Sequence, residues 1–293
     1  MQVKSLSTQK IGGLLWKYPR QSKCFWSIKG RIAKKNTIRN YDFLLSRLCT
    51  GFNERELESL TTDEILAFLT RFTQGAKQST RRLRYSLLSA FFNFIKNSSD
   101  PKFHNPCDTP ILRKVFRQAK PNRWKILEKE VIDEIIFRTE NQRNRLMLEL
   151  MARGGMRIGE VLKLTPRDID ERKITVNDPK SRRQEEIVFI PQKVADRLKE
   201  YIRRRGIENR ERIFPITYPA ARAVVKKAGR LVGINLRPHD LRRHAATYAS
   251  RAGTPIEIVS KIILRHTNLA TTQRYLGKVS DLEATRWIDH LHG

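Results

Sequence analysis

Four short segments in the second half of the chain carry side chains that could do chemistry. In Gly154-Gly155-Met156-Arg157-Ile158-Gly159-Glu160, two glycines permit a tight turn, so a backbone or a phosphate can approach Arg157 closely. Alone, this is equally an ordinary loop-to-helix joint with a solvated arginine. In His239-Asp240-Leu241-Arg242-Arg243-His244, His239 and Arg242 stand three apart and would share a helix face, with Pro238 suiting the turn into that helix. A core histidine beside a solvated arginine is the bland alternative. In Ile263-Leu264-Arg265-His266-Thr267-Asn268, Thr267 or Asn268 is a good helix N-cap. That sets His266 at the positive end of a new helix, where an anion binds readily. Tyr275 follows nine residues later in Thr271-Thr272-Gln273-Arg274-Tyr275-Leu276. A lone tyrosine is ordinarily a core or rim residue.

Together these residue types describe a site for a phosphodiester. Two arginines can hold non-bridging oxygens in bidentate fashion. Two histidines can donate hydrogen bonds or move protons. A tyrosine hydroxyl can attack phosphorus and form a covalent ester. Cationic donors offset charge developing in the transition state, so such a site needs no metal or other cofactor.

Elements must position these groups. In the first half, Ile38, Tyr41, Leu44, Leu45 and Leu48 fall at helical spacing, with Gly51 near the C-cap. A second helix is predicted from Thr61 or Thr62, with Glu64 as capping-box partner. A third runs from about Ser79 to Lys96 through Leu83, Leu87, Leu88, Phe91, Phe92 and Ile95, with Arg81, Arg82 and Arg84 on its other face. That basic face is either solvated or DNA-facing. Four prolines between Asn97 and Asn122 mark the best boundary, around a short helix near Ile111–Arg117. Beyond it, helices are predicted at about 128–138 and 141–153. Two strand-like runs follow, Lys173–Val176 and Glu186–Ile190. The polar turn Asp178-Pro179-Lys180-Ser181-Arg182-Arg183 between them reads as a hairpin with a basic tip. The rest is helical. Near the end Ala284, Trp287, Ile288 and Leu291 form one apolar helix face, which either folds back on its own domain or docks on a neighbouring protomer.

Taken in order, Arg157 in GGMRIGEVL, His239-x-x-Arg242, His266 and Tyr275 resemble the Arg…Lys…His-x-x-Arg…His…Tyr signature of tyrosine recombinases, the phage-integrase-like family. The resemblance covers residues from about 124 to 290, and the helical 36–120 segment looks like that family's core-binding domain. It implies a mainly α protein with a small β-sheet or hairpin in its catalytic domain. A basic arm (1–30), a helical SAM-like core-binding domain (31–120) and a mixed α+β catalytic domain (121–293, with a C-terminal helix 280–293) would form a clamp around DNA. By resemblance, Arg157 and Arg242 bind the scissile phosphate, and His239 and His266 complete its hydrogen bonds. Tyr275 attacks it, leaving a 3′-phosphotyrosine and a free 5′-hydroxyl on the way to a Holliday junction. A hairpin lysine serves the family as general acid, and Lys180 matches best, with Arg182 and Arg183 as neighbours. Glu160 would orient Arg157. One departure stands out: the family commonly reads Leu-Gly-His where this chain has Leu264-Arg265-His266, and Arg265 forfeits glycine's freedom or adds a phosphate contact.

Composition agrees with a polyanion partner. The 293 residues carry 59 Lys/Arg and 30 Asp/Glu, a formal charge of +29, and 39% are hydrophobic, too many for a disordered polycation. Residues 1–120 hold 23 Lys/Arg against 8 Asp/Glu, and 121–293 hold 36 against 22. Both halves are basic, as gripping a duplex from two sides requires; Arg81, Arg82, Arg84, Arg182, Arg183 and Arg243 are the candidate DNA contacts. No apolar run is long enough to span a membrane. Met1-Gln2-Val3-Lys4 does not open a secretory signal, and the three widely spaced cysteines, Cys24, Cys49 and Cys107, fit a reducing cytoplasm. The expected partners are double-stranded DNA with inverted-repeat half-sites and three further copies of this chain, a homo-tetramer on two sites. The competing readings are a type IB topoisomerase with the same chemistry, and a DNA-binding protein with an inert site. A metal-dependent nuclease would need a carboxylate cluster that the sequence lacks, and His239 and His244 are poorly spaced for a metal.

Overall fold

The structure is a computed structural model that describes residues 35–52, 55–98, 102–117, 126–177 and 185–276, together with 285, 288 and 289. The chain divides into two units, Met1–Asn122 and Arg123–Gly293.

In the first unit, α1 (Lys35–Gly51), α2 (Thr62–Phe72), α3 (Gln78–Ser98) and the short α4 (Pro110–Val115) enclose one core. The amphipathic spacing dictates which faces are buried. Tyr41, Leu44, Leu45 and Leu48 of α1 meet Ile65, Phe68 and Leu69 of α2, and Leu88, Phe91, Phe92 and Ile95 of α3. Truncating one of these to alanine would cost about 2–5 kcal/mol. The start of α2 is fixed by a capping box: the Glu64 N–H donates to Thr61 Oγ1 at 3.3 Å, and the Glu64 carboxylate accepts the Thr61 N–H at 3.0 Å. Leu83, expected on the apolar stripe of α3, is 44% exposed. Burial fades from Leu88 through Leu87 to Leu83, because the stripe runs past the edge of the core.

The second unit packs helices around α6 (Gln142–Ala152), whose residues Leu146 to Ala152 are all buried. One of them, Glu149, is paired with Arg197 at 2.6 Å. Helices α5 (Lys129–Phe137) and α7 (Ile158–Val161) precede a three-stranded antiparallel sheet, β1 (Ile169–Asp170), β2 (Lys173–Asn177) and β3 (Glu185–Phe189), in the order β1-β2-β3. The β2–β3 register pairs Ile174 with Val188 and Asn177 with Glu185. Alternation turns Ile174, Val176, Val188 and also Glu186 inward, so a carboxylate sits on the buried face of the sheet. The sheet contains one strand more than sequence periodicity predicts, since β1 has only two residues. After it come α8 (Gln192–Arg205), closed by Gly206 at φ 60°, and α9 (Tyr218–Arg230). Helix α10 spans Pro238–Arg251, and α11 (Ile256–Ile258) runs into a π turn, Val259–Ile263. The last helix of this order is α12 (Leu269–Leu276). Of the expected helix 280–293 only residues 285, 288 and 289 are described; they are helical, and Ile288 is exposed. Among the described residues, no helix is long and apolar enough to cross a membrane.

Candidate active site

The site grows from a contact between two turns. Gly155 has φ 61°, and a Cβ there would stand 2.7 Å from the Ile263 carbonyl oxygen of the π turn. Only glycine lets the turn before α7 press against that backbone. Arg242, on α10, locks the pair. Its side chain is 1% exposed, and its two terminal nitrogens donate to the Gly155 and Leu264 carbonyls. Residues remote in sequence are thus held together by one guanidinium: Arg157 two positions after Gly155, and His266 two after Leu264.

Arg157 is the N-cap residue of α7 and keeps part of its side chain in solvent. Its Nη1 donates to Glu160 Oε1 at 2.5 Å, and its backbone N–H donates to Glu160 Oε2 at 2.8 Å. Glu160 therefore orients Arg157 from behind. Arg265 does not face outward toward a phosphate. It is 2% exposed, its Nη2 donates to Glu160 Oε2 at 2.6 Å, its Nε to Glu186 Oε2 at 3.0 Å, and its Nη1 to the Ile263 carbonyl at 3.0 Å. Its φ of 51° is the left-handed conformation that a glycine would adopt without strain. Burial pushes the Glu160 carboxyl up, but the charges of Arg265 and Arg157 and the Arg157 hydrogen bonds outweigh it and hold the pKa below the ordinary value.

His266 follows directly. Its Nδ1 is 3.0 Å from Thr272 Oγ1, and the Thr272 hydroxyl is 2.9 Å from Ser260 Oγ; both hydroxyls are buried. Burial, then the charges of Arg242, Arg157 and Arg265, push His266 down to about 4, so it is neutral at pH 7. The positive charge of three guanidiniums acts on one imidazole, an electrostatic environment suited to an anion. Thr272 is one turn before Tyr275 on α12, and Asn268 caps that helix by accepting the Ala270 N–H at 2.8 Å. The helix that carries Tyr275 is therefore fastened to His266.

The remaining sequence candidates divide. His239 is exposed on the first turn of α10, one turn before Arg242. Tyr275 is placed by its backbone within α12. Lys180, Arg182 and Arg183 lie outside the described residues. Arg243, expected to contact DNA, is instead buried, with Nη1 bonded to Asp240 Oδ1 at 3.2 Å, because α10 turns it toward its own first turn. In the first unit, Arg82 is exposed, Arg81 sits over Phe116 at 5.7 Å, and Arg84 sits over Phe43 at 4.8 Å while donating to the Asn40 carbonyl at 3.3 Å. Sequence reasoning missed Glu186, Thr272 and Ser260. Glu186 had left a signal: an acidic residue in phase with Val188 and Ile190 on a strand's inward face. Among the described residues, no group of three His, Cys, Asp or Glu side chains could hold a metal ion.

A helical unit, then an α+β unit in which arginines and a neutral histidine converge beside a tyrosine-bearing helix, is the architecture of an enzyme that breaks and rejoins DNA. Residues 125–280 match the model of the phage integrase family, and residues 28–98 match that of the phage integrase N-terminal SAM-like domain. This chain belongs to the phage integrase family, the tyrosine recombinases. The tyrosine recombinase XerA of Pyrococcus furiosus is 30% identical over 256 residues, covering 82% of this chain and 83% of the relative. The tyrosine recombinase XerC of Haemophilus influenzae is 26% identical over 258 residues, covering 82% and 85%. Among solved structures, the Tn1549 transposon integrase in complex with transposon right end DNA superposes with a TM-score of 0.72 at 18% identity, covering 93% of this chain and 98% of that one. At that identity the likeness speaks for the fold alone.

Proposed function

We propose that this site-specific recombinase cuts DNA through Tyr275. The phenol oxygen bonds to the scissile phosphorus as the bond to the 5′-oxygen breaks. The products are a 3′-phosphotyrosyl ester and a 5′-hydroxyl. The phenol gives up its proton to solvent water as it attacks, the leaving 5′-oxygen takes one from Lys180, and Lys180 recovers its proton from solvent, so the proton count balances. Arg157 holds the non-bridging oxygens, Arg242 adds a second N–H of a terminal nitrogen while keeping its bonds to the Gly155 and Leu264 carbonyls, and His239 and His266 complete the shell. Rejoining reverses the step with another strand's 5′-hydroxyl, and two rounds pass through a Holliday junction. Fixed cations meet the developing charge, so the chemistry requires neither a metal nor a nucleotide.

The observation that supports this reading is the junction of the Arg157 turn, Arg242 and His266 in one cluster, bonded through Thr272 to the helix of Tyr275. For assembly, the lambda integrase structure is of a dimer bound to a core site. We extend that to this chain: two protomers on inverted-repeat half-sites, four on two sites, with the helix face of Ala284, Trp287, Ile288 and Leu291 docking on the next protomer. The enzyme would act on DNA in the cytoplasm.

The deciding experiment compares wild type with Tyr275→Phe on a nicked suicide substrate, in excess EDTA and without ATP. Wild type is expected to give a covalent adduct on a denaturing gel. The variant is expected to bind the DNA equally and give none. An adduct in the variant would show that another residue is the nucleophile.

A further inference from the structure

Four charges share one buried cluster behind the Arg157 turn. Glu160 and Glu186 are both buried, and Arg265 bridges them, at 2.6 Å to the one and 3.0 Å to the other. Arg157 is shared as well: Nη1 is 2.5 Å from Glu160 Oε1 and 3.8 Å from Glu186 Oε2. The second Glu186 oxygen, Oε1, is buried with no hydrogen-bond partner among the described residues. With Arg265 the cluster holds two cations and two carboxylates. Without it, Arg157 alone would face both carboxylates, one of them only 3.8 Å away with an unsatisfied oxygen. Arg265 also occupies a left-handed backbone position, a conformation costly for any residue with a Cβ, so its side-chain contacts must compensate.

We propose that Arg265 is a positioning residue acting as an internal counter-ion. It neutralises Glu186 and shares Glu160, which leaves the Arg157 guanidinium free to meet a DNA phosphate. This rests on the reading of Arg157 as a phosphate ligand. The position at which the family commonly carries glycine is thus one where this chain adds a charge, and that charge serves the site through Arg157 without touching DNA. Remove Arg265, and Arg157 turns inward toward Glu186, leaving the phosphate site one cation short. A plain structural strut makes a different prediction. If Arg265 only held two elements together, removing the charge of Glu186 as well would not help, because the bridge would still be gone.

The test uses the full chain and three readouts: adduct rate at saturating suicide substrate, affinity for a single DNA site, and thermal unfolding. Arg265→Met is expected to slow adduct formation by about a hundredfold, as for loss of one transition-state donor. DNA affinity, which rests on many other phosphate contacts, is expected to change by less than about tenfold. Adding Glu186→Gln, which removes the uncompensated carboxylate, is expected to recover at least about tenfold of the lost rate. Arg265→Lys keeps the charge and is expected to stay within about tenfold of wild type. A double variant no faster than Arg265→Met overturns the proposal, and so does a Lys variant as slow as the Met variant. Should Arg265→Met alone not fold, the double variant is compared with Glu186→Gln alone. Rates within about tenfold of one another then support the counter-ion role, and a larger deficit in the double variant overturns it. A wild type that forms no adduct, or a Tyr275→Phe that does, defeats the functional reading itself and is separate from every outcome above.

Discussion

Replacing Arg242 by lysine tests whether one planar guanidinium builds the site. Both of its terminal nitrogens donate in buried surroundings, one to the Gly155 carbonyl and one to that of Leu264. A lysine ammonium keeps the charge but is a point donor on a flexible stem and cannot serve both carbonyls. One buried acceptor is left unsatisfied, at about 1–3 kcal/mol. For a unit the size of Arg123–Gly293, each kcal/mol shifts the midpoint by about 2–4 °C, so Tm should fall by about 2–12 °C. Adduct formation should fall further, by about 10²–10³-fold, because the turn bearing Arg157 is released from the turn bearing His266. Arg242→Met separates charge from geometry. It removes one of the cations that hold His266 down, so the His266 pKa should rise in Met and much less in Lys. Circular dichroism melts, suicide-substrate kinetics and an NMR titration of the His266 ring read the three effects. An Arg242→Lys protein that melts and cleaves like wild type would refute the argument, because the two-carbonyl latch would then fix nothing.

Three further outcomes are expected. His266 has a folded pKa below its unfolded value, so it contributes stability above pH 6.5 that is lost as pH falls toward about 4, roughly 1–2 kcal/mol after solvent screening of a half-buried ring. Denaturant melts of wild type and His266→Gln across that window should converge at low pH, and parallel curves would contradict this. Lys180→Ala should slow cleavage by about 10²–10⁴-fold, the range of a lost general acid, and a 5′-bridging sulfur that needs no proton should restore the rate. If that substrate rescues Arg182 or Arg183 variants and not Lys180→Ala, the acid is a different residue of the turn. Deleting residues 280–293 should leave single-site gel shifts unchanged and depress strand exchange between two sites; normal exchange would rule out docking on a neighbour.

The helices were legible because burial there follows local spacing. Leu44, Leu45 and Leu48, or Ile65, Phe68 and Leu69, announce their faces within two turns of chain. The residue types of the site were legible too, since Arg157, Arg242, His266 and Tyr275 each stand in a short, distinctive string. What the sequence hid was partnership across distance. Arg242 and Arg243 are neighbours of one type, and periodicity could not reveal that one bonds carbonyls 87 and 22 residues away while the other turns back to Asp240. Arg265 looked like a lost glycine or an added phosphate contact. Its true partners, Glu160 and Glu186, are 105 and 79 residues upstream and become visible only once β3 packs beside the π turn.

The π turn sets a rule about length. Within it the Leu264 N–H reaches back five residues to Val259, and just past it the His266 N–H reaches back six, to Ser260. An α-helical path would have closed these bonds after four. The surplus residue is what brings the carbonyls of Ile263 and Leu264 round to Gly155 and Arg242. Deleting any one residue from Val259–Ile263 would restore ordinary helical winding, draw the carbonyls at the end of the turn into four-residue helical bonds and away from Gly155 and Arg242, and shorten the path to Arg265 and His266 by one residue. Side chains here could drift over generations, Ser260 excepted, while the number of residues could not. Homologous chains should therefore accept substitutions in this stretch and reject single-residue gaps.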